Sequence, residues 1–191
     1  MDISSLYSGL NCKCMMMIVK NVTVNIQTCS TFNVTRKKFV DVQEGTMSAK
    51  RKIFFAGSIG GGRQYQDLYM RIIEQLKLYG NVLSEFVGNP DIDGFLQDLQ
   101  WTDKQCHEQD VIWLQESDVL VAECTQPSLG VGYEIARSEA MMKKILILFQ
   151  AESESELPRK IRGLHNDTTF IVKDYREEEL PGLLKDFFSK L

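Results

Sequence analysis

Among the 26 acidic side chains of this 191-residue chain, two stand in contexts that could do chemistry. Glu134 closes the string Thr125-Gln-Pro-Ser-Leu-Gly-Val-Gly-Tyr-Glu134, where Gly130 and Gly132 permit a sharp entry into a helix and Ser128 offers a hydroxyl at the same rim. Asp110 follows His107 by three residues and precedes Leu114 by four, which sets it at the boundary of an apolar helix face. Each has a bland reading: a glutamate in the first turn of a helix is favoured by the helix dipole, and an exposed helical aspartate needs no role. Paired at one crevice, however, two carboxylates are the equipment of glycosidic-bond cleavage. One acts as nucleophile or stabiliser of an oxocarbenium-like centre, and the other handles the proton or fixes the sugar.

A third feature supplies a place for an anion. Residues 57–63 read Gly-Ser-Ile-Gly-Gly-Gly-Arg. The dinucleotide fingerprint does not fit this string, and the P-loop template fits only from Gly57 to Gly62, because Arg63 and Gln64 stand where lysine and a hydroxyl would be. Four glycines in six residues exceed what a tight turn needs. They let backbone N–H groups converge, and a following helix N-terminus favours negative charge there, so a phosphate or carboxylate is the expected guest. Other chemistries lack their parts. Two histidines (His107 and His165) build no metal cluster, no Gly-x-Ser-x-Gly elbow is present, and Cys106 and His107 are neighbours that point apart on a helix. The sequence implies neither a metal nor an organic cofactor.

These residues need positioning. Residues 53–56 form a short apolar run ending at Gly57, the pattern of a buried strand. Residues 65–79 place Leu68, Ile72, Ile73 and Leu76 at helical spacing, with Gly80 as the expected C-terminal stop. Residues 82–86 read as a second strand and 87–101 as a loop marked by Gly88, Pro90 and Gly94. Thr102 and Gln105 form a capping-box signature for a helix to about residue 117, with Val111, Trp113 and Leu114 towards the core. A third strand is expected at 119–122, a helix at 132–142, strands at 145–149 and from 170, and a closing amphipathic helix at 180–191. Alternating helices and continuous apolar strands predict an α/β protein with a mainly parallel five-stranded sheet covered on both faces. Ligands of such a sheet sit beyond the carboxyl ends of its strands.

Apolar residues at 43% and charged residues at 25% are globular values. The net charge of −4 divides unevenly: residues 1–46 carry +2 and residues 47–191 carry −6, an acidic body ill-suited to a nucleic-acid polymer. Residues 1–46 are polar, with one alternating stretch at 22–26, and read as a flexible extension ahead of a domain at 47–191; Met47 offers a second plausible start. Five cysteines show no zinc-finger spacing and read as free thiols. No segment reads as a signal peptide or a membrane span, so the expectation is a soluble cytoplasmic protein, with the nucleus as a second location.

Three strings, residues 55–63, 107–114 and 118–134, resemble the 2′-deoxynucleoside 5′-phosphate N-hydrolase family, in the nucleoside 2-deoxyribosyltransferase group. The similarity extends over about residues 51–191, and its most specific part is the Thr125-to-Glu134 string. The resemblance implies a Rossmann-like three-layer fold and a homodimer whose active site the partner completes. It also implies hydrolysis of a deoxynucleoside monophosphate to free base and deoxyribose 5-phosphate. Glu134 would be the nucleophile at C1′, Asp110 the sugar ligand or proton relay, and Gly57, Ser58, Ile59, Gly61, Gly62, Ser128 and Gly130 the nucleotide-site lining.

The chain departs from the family pattern at four positions. Phe54 stands where the family usually has tyrosine, Gly60 where it has arginine, Phe86 where it has histidine, and Pro158 where it has a serine near the phosphate contact that the dimer contributes. Arg63, Arg159 and Lys160 are the cations available to restore charge at the substrate site. The implied partner is a small nucleotide, with phosphate preference and exclusion of a 2′-hydroxyl both expected to be weaker than is usual in the family. Alternatives of the same chemistry are a deoxyribosyltransferase and a ribonucleotide hydrolase. The alternative of another class is a nucleotide-binding regulatory protein without turnover.

Overall fold

The computed structural model describes residues 50–191. The extension expected over 1–46 lies outside the described residues. Five strands, β1 (Lys52–Ala56), β2 (Asn81–Val82), β3 (Val119–Glu123), β4 (Lys144–Gln150) and β5 (Phe170–Tyr175), form one sheet in the order β2-β1-β3-β4-β5. Every pairing is parallel. Between them run α1 (Gln66–Leu76), α2 (Ile92–Leu99), α3 (Asp103–Glu116), α4 (Leu129–Ala140) and α5 (Arg159–Arg162), and α6 (Leu180–Ser189) follows the last strand. Among the described residues no helix is long and apolar enough to cross a membrane.

Strand side chains alternate between faces, and here both faces are covered. Ile53, Phe55, Val119, Val121, Leu146 and Leu148 pack with Leu68, Tyr69, Ile72 and Leu76 of α1 and with Leu180, Leu184, Phe187 and Phe188 of α6. Phe54, Ala56, Leu120, Ala122, Ile145 and Ile147 pack on the other face with Leu114 of α3 and with Val131 and Ile135 of α4. The order reverses between β1 and β3, so a crevice opens beyond their carboxyl ends, where the glycine string and the Cys124–Ser128 loop emerge.

Four local expectations are corrected. The strand expected over 82–86 ends after Val82. The Leu83 N–H still donates to the Ile53 carbonyl, but Ser84 Oγ then accepts from the Phe55 N–H (2.8 Å) and donates to its carbonyl (2.7 Å). A side chain thus occupies the β1 edge, and the main chain turns into a 3₁₀ segment, Glu85–Gly88, which carries Phe86. The stretch expected as a loop contains α2, capped by Asp91, whose carboxylate accepts the Gly94 N–H at 3.1 Å. Gly80 is no helix stop, since α1 ends at Leu76. It is glycine because a Cβ there would lie 2.3 Å from the Arg51 carbonyl oxygen, beside which β2 enters the sheet. Finally, α4 starts at Leu129 with Ser128 as its cap, three residues ahead of the expected start.

Candidate active site

That earlier start changes the meaning of Glu134. It lies in the second turn of α4, beyond the first-turn N–H groups whose dipole would account for a helix-start glutamate. Its side chain is only partly exposed and faces a cavity of about 190 Å³ together with Asp110 of α3. The other walls are Phe54 from β1, Gly57 and Ile59 from the glycine loop, Phe86 and Val87 from the 3₁₀ segment, Phe95, Leu96 and Leu99 from α2, and Trp101, Cys106 and Trp113. Phe86 stacks on Phe95 at 5.7 Å between ring centres and meets Trp113 at 5.5 Å, and Trp113 lies 6.4 Å from Trp101. Two carboxylates therefore stand at the edge of an aromatic chamber.

The apolar setting tells on both acids. Burial pushes the Asp110 carboxyl up to about 6, against the opposing pull of His107. Burial, with the like charge of Asp110 added to it, pushes Glu134 up to about 8. His107 does not bridge to Asp110 through a hydrogen bond; its Nε2 lies 2.7 Å from the Tyr133 hydroxyl on the outer surface. Two acids held apart in pKa at one cavity can divide nucleophilic and proton-handling roles. Among the described residues no group of three or more His, Cys, Asp or Glu side chains could hold a metal ion.

The glycine string forms the second half of the site. Gly61 approaches the α4 cap so closely that a Cβ would lie 2.6 Å from the Pro127 carbonyl oxygen, and Gly62 adopts φ +121°, which only glycine tolerates well. Gln126 Nε2 donates to the Gly61 carbonyl at 2.8 Å and ties the loop to the segment that leads into α4. The Ser58 N–H donates to the Tyr69 hydroxyl at 3.3 Å, while Ser58 Oγ is buried and has no partner. Ser128 Oγ accepts the Val131 N–H at 3.4 Å as helix cap. Gly130 stands in that first turn, and nothing lies within 4 Å of the position a Gly60 Cβ would take. Loop and helix start thus face the same place, a setting suited to phosphate.

Beneath the loop, Glu123 ends β3 fully buried. It accepts from the Thr125 N–H (3.2 Å), the Thr125 hydroxyl and the Tyr175 hydroxyl (3.3 Å), and burial pushes its carboxyl up to about 7. Its neighbour Cys124 has its thiol pushed well up by burial and by the nearby Glu123 and Glu134 carboxylates, which makes it a poor nucleophile.

Not every expected residue meets at this site within one chain. Arg63 is turned away: its guanidinium donates to the carbonyls of Val87 (2.9 Å), Asn89 (2.8 Å) and Ser58 (3.4 Å), so it clamps the chamber wall to the glycine loop and is already spent as a cation. Pro158 opens α5 and lines a second cavity of about 360 Å³ together with Gly61, Ser128, Leu129, Ile135 and Leu157, so within one chain it borders the glycine loop and the α4 start and not the carboxylates. Arg159 and Lys160 are exposed on α5 and line neither this second cavity nor the one that holds Glu134. Sequence reasoning passed over Phe95, Leu96, Leu99 and Trp101, weighed Cys106 only as a nucleophile, and took Trp113 for core. A signal existed in Ile92, Phe95, Leu96 and Leu99, a helical stripe masked by Gly94.

Comparison with known proteins decides the family. The model of the nucleoside 2-deoxyribosyltransferase family matches residues 53–177. The chain belongs to this family. A Nematostella vectensis protein named "Putative 2'-deoxynucleoside 5'-phosphate N-hydrolase 1" is 48% identical over 149 residues, 76% of this chain and all of that one. The 5-hydroxymethyl-dUMP N-hydrolase of Danio rerio is 47% identical over 139 residues (73% of this chain, 96% of that one). That of Homo sapiens is 45% identical over 137 residues (72% and 79%). This member of the nucleoside 2-deoxyribosyltransferase family holds two carboxylates, Asp110 and Glu134, at a chamber lined with aromatic rings.

Proposed function

We propose that this chain hydrolyses the N-glycosidic bond of nucleoside 5′-monophosphates, releasing free base and (deoxy)ribose 5-phosphate. The observation that carries this reading is the shared cavity of Asp110 and Glu134, bordered by an aromatic chamber on one side and a glycine loop with a helix start near by. The names of the relatives at 45–48% identity, all N-hydrolases of nucleotides, support the same reaction. Phosphate rests against the glycine loop and the start of α4, the sugar lies between the carboxylates, and the base enters the chamber. Glu134, once ionised, attacks C1′ as the base departs with the bonding electron pair. Asp110 fixes the sugar or relays a proton to the base. Water then cleaves the glycosyl ester and restores Glu134.

The acceptor is the open choice within this chemistry, because the family model is that of a transferase. The site acts in a pair of chains. Support for pairing is the outer face of α4, where Leu129 (97% exposed) and Tyr133 (42%) share a stripe with Ala136 and Ala140. In such a pair the exposed Arg159 and Lys160 of α5 reach the partner's phosphate site, while Pro158 borders the glycine loop and α4 start of its own chain.

The test is chromatographic release of free base from a panel of ribo- and deoxyribonucleoside monophosphates and the matching nucleosides. A monophosphate is expected to be cleaved by the wild type and not by Glu134→Gln. A second free base added to the mixture is expected to remain unglycosylated. Absence of base release across the panel would overturn hydrolysis, and formation of a new nucleotide would turn the reading into transfer.

A further inference from the structure

The chamber beyond the carboxylates has an unusual chemical character. Five aromatic side chains, Phe54, Phe86, Phe95, Trp101 and Trp113, contribute to its walls, and aliphatic side chains fill the gaps between them. Its hydrogen-bonding side chains are the carboxyls of Asp110 and Glu134, the indoles of Trp101 and Trp113 and the Cys106 thiol. At about 190 Å³ the space is of the size that admits one aromatic ring system, since a dry cavity of about 150 Å³ already accepts benzene. A neutral nucleobase placed there would bury carbonyl and ring-nitrogen acceptors against walls that offer few donors, and an unpaired buried acceptor is costly. A cationic ring has the opposite fit. It is attracted to the negative faces of the aromatic rings and to the Asp110 carboxylate, and it draws Glu134 towards its ionised form.

We propose that the chamber selects nucleotides whose base carries a positive charge from ring N-alkylation, held by aromatic faces and by Asp110 and Glu134. This inference rests on the N-hydrolase reading above. The chemistry follows the same preference. As the C1′–N bond breaks, its electron pair passes to the ring nitrogen and neutralises the alkylated base, which leaves without taking a proton. Glu134 forms the bond to C1′; water then attacks C1′, the glycosyl–oxygen bond breaks to return the carboxylate, and one proton goes to solvent. A neutral base, by contrast, needs a proton from Asp110 at the moment of departure. A cation in the chamber also favours the ionised form of Glu134, the form that attacks.

The chain has two tryptophans, Trp101 and Trp113, and both line the chamber, so quenching of indole emission reports its occupancy directly. The probes are the isomers 3-methyl-dCMP, a cation at neutral pH, and 5-methyl-dCMP, which is neutral. Both carry one methyl group and the same sugar phosphate. Fluorescence titration of the full-length protein in the cold, before turnover, is expected to give at least about a fivefold lower Kd for the cationic isomer, the span expected of a desolvated cation–π contact. Trp113→Leu, which keeps apolar bulk and leaves Trp101 as reporter, is expected to shrink that preference severalfold, and Trp101→Leu does the same from the neighbouring wall. Equal or tighter binding of 5-methyl-dCMP, or an unchanged preference in both variants, overturns the charge selection. In that case base release from ordinary monophosphates still judges the N-hydrolase reading on its own. If neither isomer quenches and no panel nucleotide releases base, both readings fall together.

Discussion

Glu134 and Asp110 divide their work through their surroundings, and that division sets what each substitution does. Glu134→Gln keeps the shape and removes the negative charge that an oxocarbenium-like centre requires, so kcat is expected to fall by about 10³ or more. The same variant should be the more stable protein at alkaline pH. The folded carboxyl is pushed up to about 8 from an ordinary 4.5, so its stabilising contribution is complete below about 4.5 and lost as pH rises through about 8. Glutamine has no proton to lose. At pH 8 the variant is expected to gain on the order of 1–3 kcal/mol, a Tm rise of several degrees, with little difference at pH 5. Calorimetry at the two pH values checks this, and an equal Tm at pH 8 would mean that Glu134 is well solvated. A second expectation concerns the pair. Because kcat/KM reports the free enzyme, it should climb with pH towards a limb near 8 as Glu134 ionises. Asp110→Asn removes the like charge but leaves the burial, so the limb should move acidward while staying above 4.5, with the overall rate down about 10²–10⁴. A pH–rate profile with an unmoved limb would separate the two carboxylates energetically.

At the scale of elements, the site depends on how the 3₁₀ segment is fastened to the glycine loop. Arg63 reaches three carbonyls across this junction, and Gln66 adds a donation to Gly88 at 2.7 Å. Lysine presents one compact ammonium and cannot copy a planar fork, so Arg63→Lys is expected to cost about 1–3 kcal/mol in urea unfolding. It should also raise KM through a displaced Phe86 wall. A variant with wild-type stability and KM would reduce the clamp to a surface contact. The same junction shows what was legible in the sequence. Continuous apolar runs fixed the parallel sheet, because such strands cannot be left uncovered, and the capping box at Thr102 formed as its residues predict. Ser84 defeated the second strand because its hydroxyl takes over the main-chain groups of Phe55, a tertiary event with no local pattern. Asp91 and Gly94 hid α2, since a glycine accepted by an aspartate cap looks like a turn. The carboxylates and glycines were readable from spacing and resemblance. The aromatic chamber was not, because its rings come from β1, the 3₁₀ segment, α2, the α2–α3 connection and α3 and meet only in the fold.

For the whole molecule the decisive matter is whether one chain is enough. Within a single chain the start of α5 stands apart from the Glu134 cavity; its Pro158 and Ile161 border the cavity beside Gly61 and Ser128, while Arg159 and Lys160 are exposed and line neither. The outer face of α4 presents Leu129 almost wholly exposed, with Tyr133 one turn on, and Tyr133 is itself held by Arg137, whose Nη1 donates to its hydroxyl at 2.8 Å while the guanidinium lies 5.4 Å from the ring centre. An ordered aromatic residue beside an uncovered leucine is a feature of surfaces that pair. Leu129 is the first residue of α4, so a glutamate there is also favoured by the helix dipole and should leave the fold intact. Two copies of the charge at a symmetric contact, however, repel each other and leave apolar surface unburied. The wild type is therefore expected to sediment as a dimer and Leu129→Glu as a monomer with an unchanged circular dichroism spectrum. Activity on a monophosphate should fall at least about tenfold and much less on the matching nucleoside. Leu129 also borders the anion site at the α4 start, so sedimentation, and not the fall in activity, decides pairing. A monomeric variant with full monophosphate activity would place every phosphate contact on one chain and leave the glycine loop and α4 start as the whole anion site.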